Sequence, residues 1–152
     1  MSAVQARLAE LGLTLPKVSP PLADYVPAVQ SGRHVYVSGQ LPMVDGTLVA
    51  TGKVGAEVGA EQARELAKRC ALNALAAIDA LVGLDRVTRV VKLTGFVAAA
   101  PGFTAVPAVI NGASELMGAV FGEAGRHARS AVGVAELPLG APVEVEFIVE
   151  VD

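Results

Sequence analysis

Arg129 and Glu144 are two side chains near the end of the sequence whose types and spacing could do chemistry together. Arg129 stands in Gly125-Arg126-His127-Ala128-Arg129-Ser130-Ala131, at the mouth of a segment patterned as a strand. Glu144 opens the next such segment, Val143-Glu144-Val145-Glu146-Phe147-Ile148-Val149-Glu150. The connection Leu137-Pro138-Leu139-Gly140-Ala141-Pro142 suits a tight return, so the two strands are expected to be antiparallel neighbours. A guanidinium grips a carboxylate through paired hydrogen bonds, a geometry that lysine cannot match. A carboxyl group beside an apolar cleft can be raised in pKa until it exchanges protons at neutral pH. Placed side by side at one end of a sheet, the pair would make a carboxylate-binding cation next to a proton-transfer group. Spacing alone equally allows a surface arginine at a strand start and a solvated glutamate. Glu146 shares the strand face of Glu144, and alternation does not choose between them.

The elements that must hold these residues can be read from periodicity. Ser2-Ala3-Val4-Gln5 has capping-box spacing; Val4, Leu8 and Leu11 fall on one helical face, and Gly12 can end that short helix. Pro16, Pro20 and Pro21 impose an extended lead-in. Tyr25 to Gln40 reads as two strands about a Ser31-Gly32-Arg33 turn, and Thr47 to Ala50 as a short strand. Leu66, Cys70, Ala74, Ile78 and Leu81 recur at helical spacing and predict a helix over 61–81. Asp85 to Ala98 follows as a strand, and Pro107 to Phe121 as a second helix broken near Asn111-Gly112. Two strands close the chain, near Ser130 to Ala135 and Val143 to Val151. The order predicts one α+β domain over residues 1–152, a mixed sheet with two helices on one face and an extra helix within residues 1–15. On the last strand Val143, Val145, Phe147, Val149 and Val151 share the core face, so the opposite face has nothing in this chain to cover it.

Composition narrows the chemistry. Hydrophobic residues make up 53% of the 152 and charged residues only 18%, more apolar surface than a small monomer needs. Such an excess often ends in subunit interfaces. The net charge of −3 and the scattering of eight arginines and four lysines argue against a nucleic-acid surface, which would show a basic stripe. No apolar run has the length of a membrane span, and no cationic leader precedes an apolar core, so the expected location is cytoplasmic. Cys70 is the single cysteine, and on a helix face it reads as packing. His34 and His127 have no ligand-like spacing with acidic residues, so a catalytic zinc built on several histidines is not expected.

Two blocks resemble the Rid/YjgF family of enamine/imine deaminases, also known as endoribonuclease L-PSP proteins. The first is Tyr25-Val26-Pro27-Ala28-Val29-Gln30, running through Gly32 to Val35-Tyr36-Val37-Ser38-Gly39-Gln40-Leu41-Pro42. The second is Ala128-Arg129-Ser130, then Leu137-Pro138, then Val143-Glu144-Val145-Glu146. The resemblance implies a chorismate-mutase-like fold and a homotrimer with ligand clefts between subunits. It also implies Arg129 as the binder of a small carboxylate substrate and Glu144 as the group that handles water or protons. Tyr25 falls at the family's cleft tyrosine, where its hydroxyl could bond substrate or water; a rim-packing aromatic is the plainer alternative. Asn111 aligns with a family asparagine once about four residues are inserted before it, and its amide could fix a polar ligand. Ala131 stands where the family often has Cys, Ser or Thr, leaving its backbone carbonyl as the substrate contact. His127 replaces the proline of the Pro-Ala-Arg archetype; it could be a proton-transfer residue, with a loop residue shaped by the longer 104–125 segment as the favoured reading.

The activity that the resemblance implies is hydrolysis of small enamine or imine acids, such as 2-aminoacrylate, to 2-oxo acids and ammonia. A binding or sensor module with the same carboxylate site is a second reading. An endoribonuclease is a third, and chorismate mutation, favoured by fold analogy alone, a fourth.

Overall fold

The computed structural model describes residues 2–152. Helix α1 (Ala3–Glu10) starts where Ser2 Oγ accepts from the Gln5 amide at 3.0 Å. Its first amides also donate to Asp85, at 3.1 Å each from Ala3 and Val4, which holds that carboxyl below its usual range. Leu8 is buried and joins the main core, so this extension is packed into the domain.

A hairpin follows, β1 (Ala28–Ser31) and β2 (His34–Gln40), turning at Gly32 with φ 61°. Strand β1 begins three residues after Tyr25, which therefore lies outside the sheet. The small ladder of β3 (Met43–Val44) and β4 (Thr47–Leu48) stands apart as its own two-stranded sheet. Helix α2 (Ala60–Val82) buries Leu66, Cys70, Ala74 and Ile78 of the expected stripe, leaves Leu81 exposed in its last turn, and ends at Gly83, φ 86°. Its buried alanines, among them Ala63, Ala67, Ala71 and Ala74, keep it close to the layers around it. Cys70 lies wholly inside, where burial pushes its thiol well above the usual range.

A single 3-10 turn (Leu84–Arg86) takes the start of the expected 85–98 strand, and β5 runs Val87–Ala98. Helix α3 (Val106–Phe121) is continuous, where the sequence predicted a break near Asn111-Gly112. Gly112 serves packing instead: a Cβ there would overlap the carbonyl oxygen of Arg64, so the glycine lets the α2 backbone pass close. Strands β6 (Ala128–Val134) and β7 (Val143–Val151) complete the chain.

The main sheet has the order β1-β2-β7-β5-β6, antiparallel throughout except for the parallel pair β5 and β6. Helix α2 lies over β2 and β7, and α3 over β5 and β6. Val35, Leu93, Val97, Val145, Phe147 and Val149 fill the layer between sheet and helices. The expected α+β fold with both helices on one face is what the chain adopts. Among the described residues, no helix is long and apolar enough to cross a membrane.

The expected pairing of the last two strands also fails. Strands β6 and β7 are not neighbours, because β5 lies between them, and the 135–142 connection crosses the end of β5 instead of closing a hairpin. The parallel β5–β6 pair, joined through α3, occupies one edge of β5 and leaves its other edge for β7. On the uncovered face Val29, Tyr36 and Val132 are exposed, in line with half-buried Ile148 and Phe96.

Candidate functional site

The sheet register decides where the two chemical side chains go. Leu93 of β5 pairs with Arg129 on one side and Phe147 on the other. Phe96 pairs with Glu144 and Val132. Arg129 and Glu144 are thus three residues apart along β5 and two strands apart across it, roughly 14 Å between backbones at ordinary strand spacings. An odd offset also puts them on opposite faces. Arg129 shares the helix-side face with Leu93; Glu144 shares the uncovered face with Phe96. The pair expected side by side is instead apart, on opposite faces of the sheet.

The Arg129 half is held between β6 and α3. Arg129 Nη1 donates to Asn111 Oδ1 at 2.7 Å and to Ser114 Oγ at 3.2 Å. Because a guanidinium has only donors, the Asn111 amide must turn its oxygen to Arg129, which leaves Nδ2 to donate elsewhere. Ser114 Oγ lies 2.9 Å from His127 Nε2, and His127 Nδ1 lies 2.7 Å from the Gly125 carbonyl. Asn111, Ser114, His127 and Arg129 are all half-buried. Ala131 follows on the same face of β6, opposite Gly95, whose missing side chain leaves room for Ile110 of α3.

The Glu144 half is built on β7 and β2. A Cβ at Gly39 would overlap the Glu144 carboxylate, so glycine at this position is what lets that side chain lie flat over β2. Burial, and then the neighbouring Glu146 charge, raise the Glu144 carboxyl above the usual range. Glu146 is exposed beside Thr94, whereas Glu144 is half-buried, and this separates two residues that alternation left equivalent. Tyr25, Pro27, Gly39, Gln40 and Leu41 line one groove, and the Tyr25 hydroxyl accepts from the Leu22 amide at 3.3 Å. Gly39 thus borders both the groove that Tyr25 lines and the Glu144 carboxylate.

Sequence reasoning passed over Ser114 and set His127 aside as a loop residue. Two local spacings could have found both. Ser114 is three residues after Asn111, hence on the same helical face, and His127 is two before Arg129, hence on the same side of the strand lead-in.

The family model for endoribonuclease L-PSP matches residues 16–151. The chain belongs to this family, the Rid/YjgF proteins. The match begins after α1. The chain is 48% identical to Protein TCP17 of Trypanosoma cruzi, over 98% of this chain and 94% of that one. It is 33% identical to a 2-iminobutanoate/2-iminopropanoate deaminase of Dermatophagoides farinae, over 92% and 95% of the two chains. The crystal structure of Atu1372 from Agrobacterium tumefaciens superposes with a TM-score of 0.91 at 50% identity, covering 98% of this chain and 92% of the other. Each of these relatives covers at least nine-tenths of this chain.

Proposed function

We propose that this Rid protein hydrolyses small enamine and imine acids of the 2-aminoacrylate class to 2-oxo acids and ammonia. The observation that carries the reading is Arg129, half-buried and pinned to α3 while part of its guanidinium stays free for a carboxylate. Arg129 would hold the substrate carboxylate and turn the imine carbon toward water. Asn111 Nδ2 and the backbone of Ala131 would fix the rest of a small polar ligand. Glu144, its carboxyl already raised toward neutrality, would take a proton from the attacking water and return it to the departing ammonia, with Tyr25 placing the water. The imine is electrophilic once protonated, so the scheme asks for no metal or organic cofactor. The 33% identity to a relative named as an imine deaminase supports the reaction class.

Because Arg129 and Glu144 point to opposite faces, one cleft containing both needs two protomers. We propose a homotrimer in which the uncovered sheet faces pack together and each cleft joins Arg129 of one protomer to Glu144 and Tyr25 of its neighbour. Exposed Val29, Tyr36 and Val132 supply apolar area for that packing. Sedimentation at micromolar concentration should give about three times the 15.4 kDa chain mass; a stable monomer would remove the shared cleft.

A binding or sensor role without turnover is the second reading, favoured by two departures from the deaminase archetype, Ala131 and His127. The wild-type protein with enzymatically generated 2-aminoacrylate decides between them. Ammonia release well above the rate in water supports the enzyme, and tight 2-oxo acid binding without turnover supports the sensor. An endoribonuclease is disfavoured by the net charge of −3 and by Glu144, Glu146 and Glu150 on the uncovered face.

A further inference from the structure

We propose that Ser114 and His127 are positioning residues that make Arg129 take its carboxylate through the Nε–Nη2 edge alone. The proposal rests on Arg129 being the carboxylate binder.

The direction of every hydrogen bond in the cluster follows from its fixed end. The Gly125 carbonyl can only accept, so His127 Nδ1, 2.7 Å away, carries the proton. In the neutral ring Nε2 is then an acceptor, and the Ser114 hydroxyl, at 2.9 Å, donates to it. Ser114 Oγ is left with lone pairs only, and Arg129 Nη1 donates to one of them at 3.2 Å. Asn111 Oδ1 accepts the other Nη1 hydrogen at 2.7 Å. A guanidinium Nη carries two hydrogens, and both on Nη1 are used.

Two bidentate modes exist for a carboxylate on arginine, end-on across Nη1 and Nη2, or side-on across Nε and Nη2. The end-on mode needs an Nη1 hydrogen, which Ser114 and Asn111 have taken. Among the described residues, Nε and Nη2 make no hydrogen bond. The side-on edge is therefore the one on offer.

The hydrogen-bonded chain is also anchored at both ends. Gly125 closes the 3-10 turn (Gly122–Gly125) after α3 and is buried, and a Cβ there would overlap the Met117 carbonyl. The acceptor for His127 is thus part of the backbone packed on α3, and Ser114 is on α3 itself. His127 and Arg129 come from the lead-in and start of β6. The loop Gly125–His127–Ser114–Arg129 fixes the rotation of the guanidinium plane relative to the sheet, and so the direction in which the carbon beside the carboxylate must project. A hydroxyl without His127 could rotate to offer Arg129 its hydrogen, which would repel Nη1 and release it.

The direct test is arginine-side-chain nitrogen NMR on wild-type protein titrated with pyruvate, with Arg129→Ala assigning the resonances. Pyruvate should shift the Nε and Nη2 signals of Arg129 and leave those of Nη1 in place. Movement of Nη1 with Nε unchanged would mean end-on binding and would overturn the proposal. Equal pyruvate affinity of Arg129→Ala and wild type would instead overturn the assignment of Arg129 as the carboxylate binder, and this inference with it. As a second readout, Ser114→Ala and His127→Phe should weaken pyruvate binding by roughly three- to tenfold. Their kcat for 2-aminoacrylate should fall further than their KM rises, because the substrate is held but turned. His127→Gln, which restores an acceptor to Ser114, should recover most of the loss. Wild-type affinity and kcat in both Ser114→Ala and His127→Phe would also defeat the proposal.

Discussion

Glu144→Gln is expected to bind 2-oxo acids as wild type does and to slow imine hydrolysis by roughly 10²- to 10⁴-fold, the usual worth of a positioned proton-transfer group. The amide keeps the shape that lies over Gly39, so the fold and the groove stay as they are. It cannot take a proton from water or return one to ammonia. The raised carboxyl matters here, since a group nearer neutrality both accepts and releases protons more readily at physiological pH. Glu146→Gln is the control, because it lies on the same face of the same strand but is exposed. Coupled turnover of 2-aminoacrylate measures both. Loss of activity in Glu146→Gln with retention in Glu144→Gln would show that Glu146, not Glu144, moves the proton.

Arg129→Ala should leave the protein folded and cut its affinity for pyruvate or 2-oxobutyrate by roughly 30- to 1000-fold. Removing a charge-assisted bidentate hydrogen-bonding group from a half-buried site costs on the order of 2–4 kcal/mol. Asn111 and Ser114 would each be left without their donor, yet both are half-buried and can turn to water, so the penalty falls mainly on the ligand. Calorimetry compares the two proteins. An unchanged dissociation constant would take Arg129 out of the site.

Much of the architecture is visible in the chain before folding. Helix α2 is legible because Leu66, Cys70, Ala74 and Ile78 repeat at a period that only a helix turns to one side, and β7 because valines alternate with glutamates. The failures share a cause: local pattern does not report what passes nearby in space. Gly112 looks like a helix breaker in sequence, and the reason for it is the α2 backbone lying against it. The turn residues at 137–142 suggest a hairpin, but which strand a chain joins after a turn depends on which sheet edges are already taken. The same limit applied to the candidate site. Arg129 and Glu144 could be singled out by chemistry and family motif, whereas their separation by β5 depends on strand order. Ser114 carries no motif at all, and its partners converge only when α3 is laid beside β6.

Strand β7, which follows the other four strands of its sheet in the chain, sits in the middle of that sheet between β2 and β5. Until it arrives, the chain holds a hairpin on one side and a helix-linked parallel pair on the other, with no hydrogen bonds joining them. The Arg129 cluster needs only α3 and β6, close neighbours in sequence, and can assemble early at a small cost in loop closure. The Glu144 half must bring the final strand back to Gly39 near the beginning, the kind of long-range pairing that slows folding. The Arg129 cluster can therefore be complete before Glu144 reaches Gly39. Destabilising changes in β7 should accordingly act on the whole domain at once, as a keystone does.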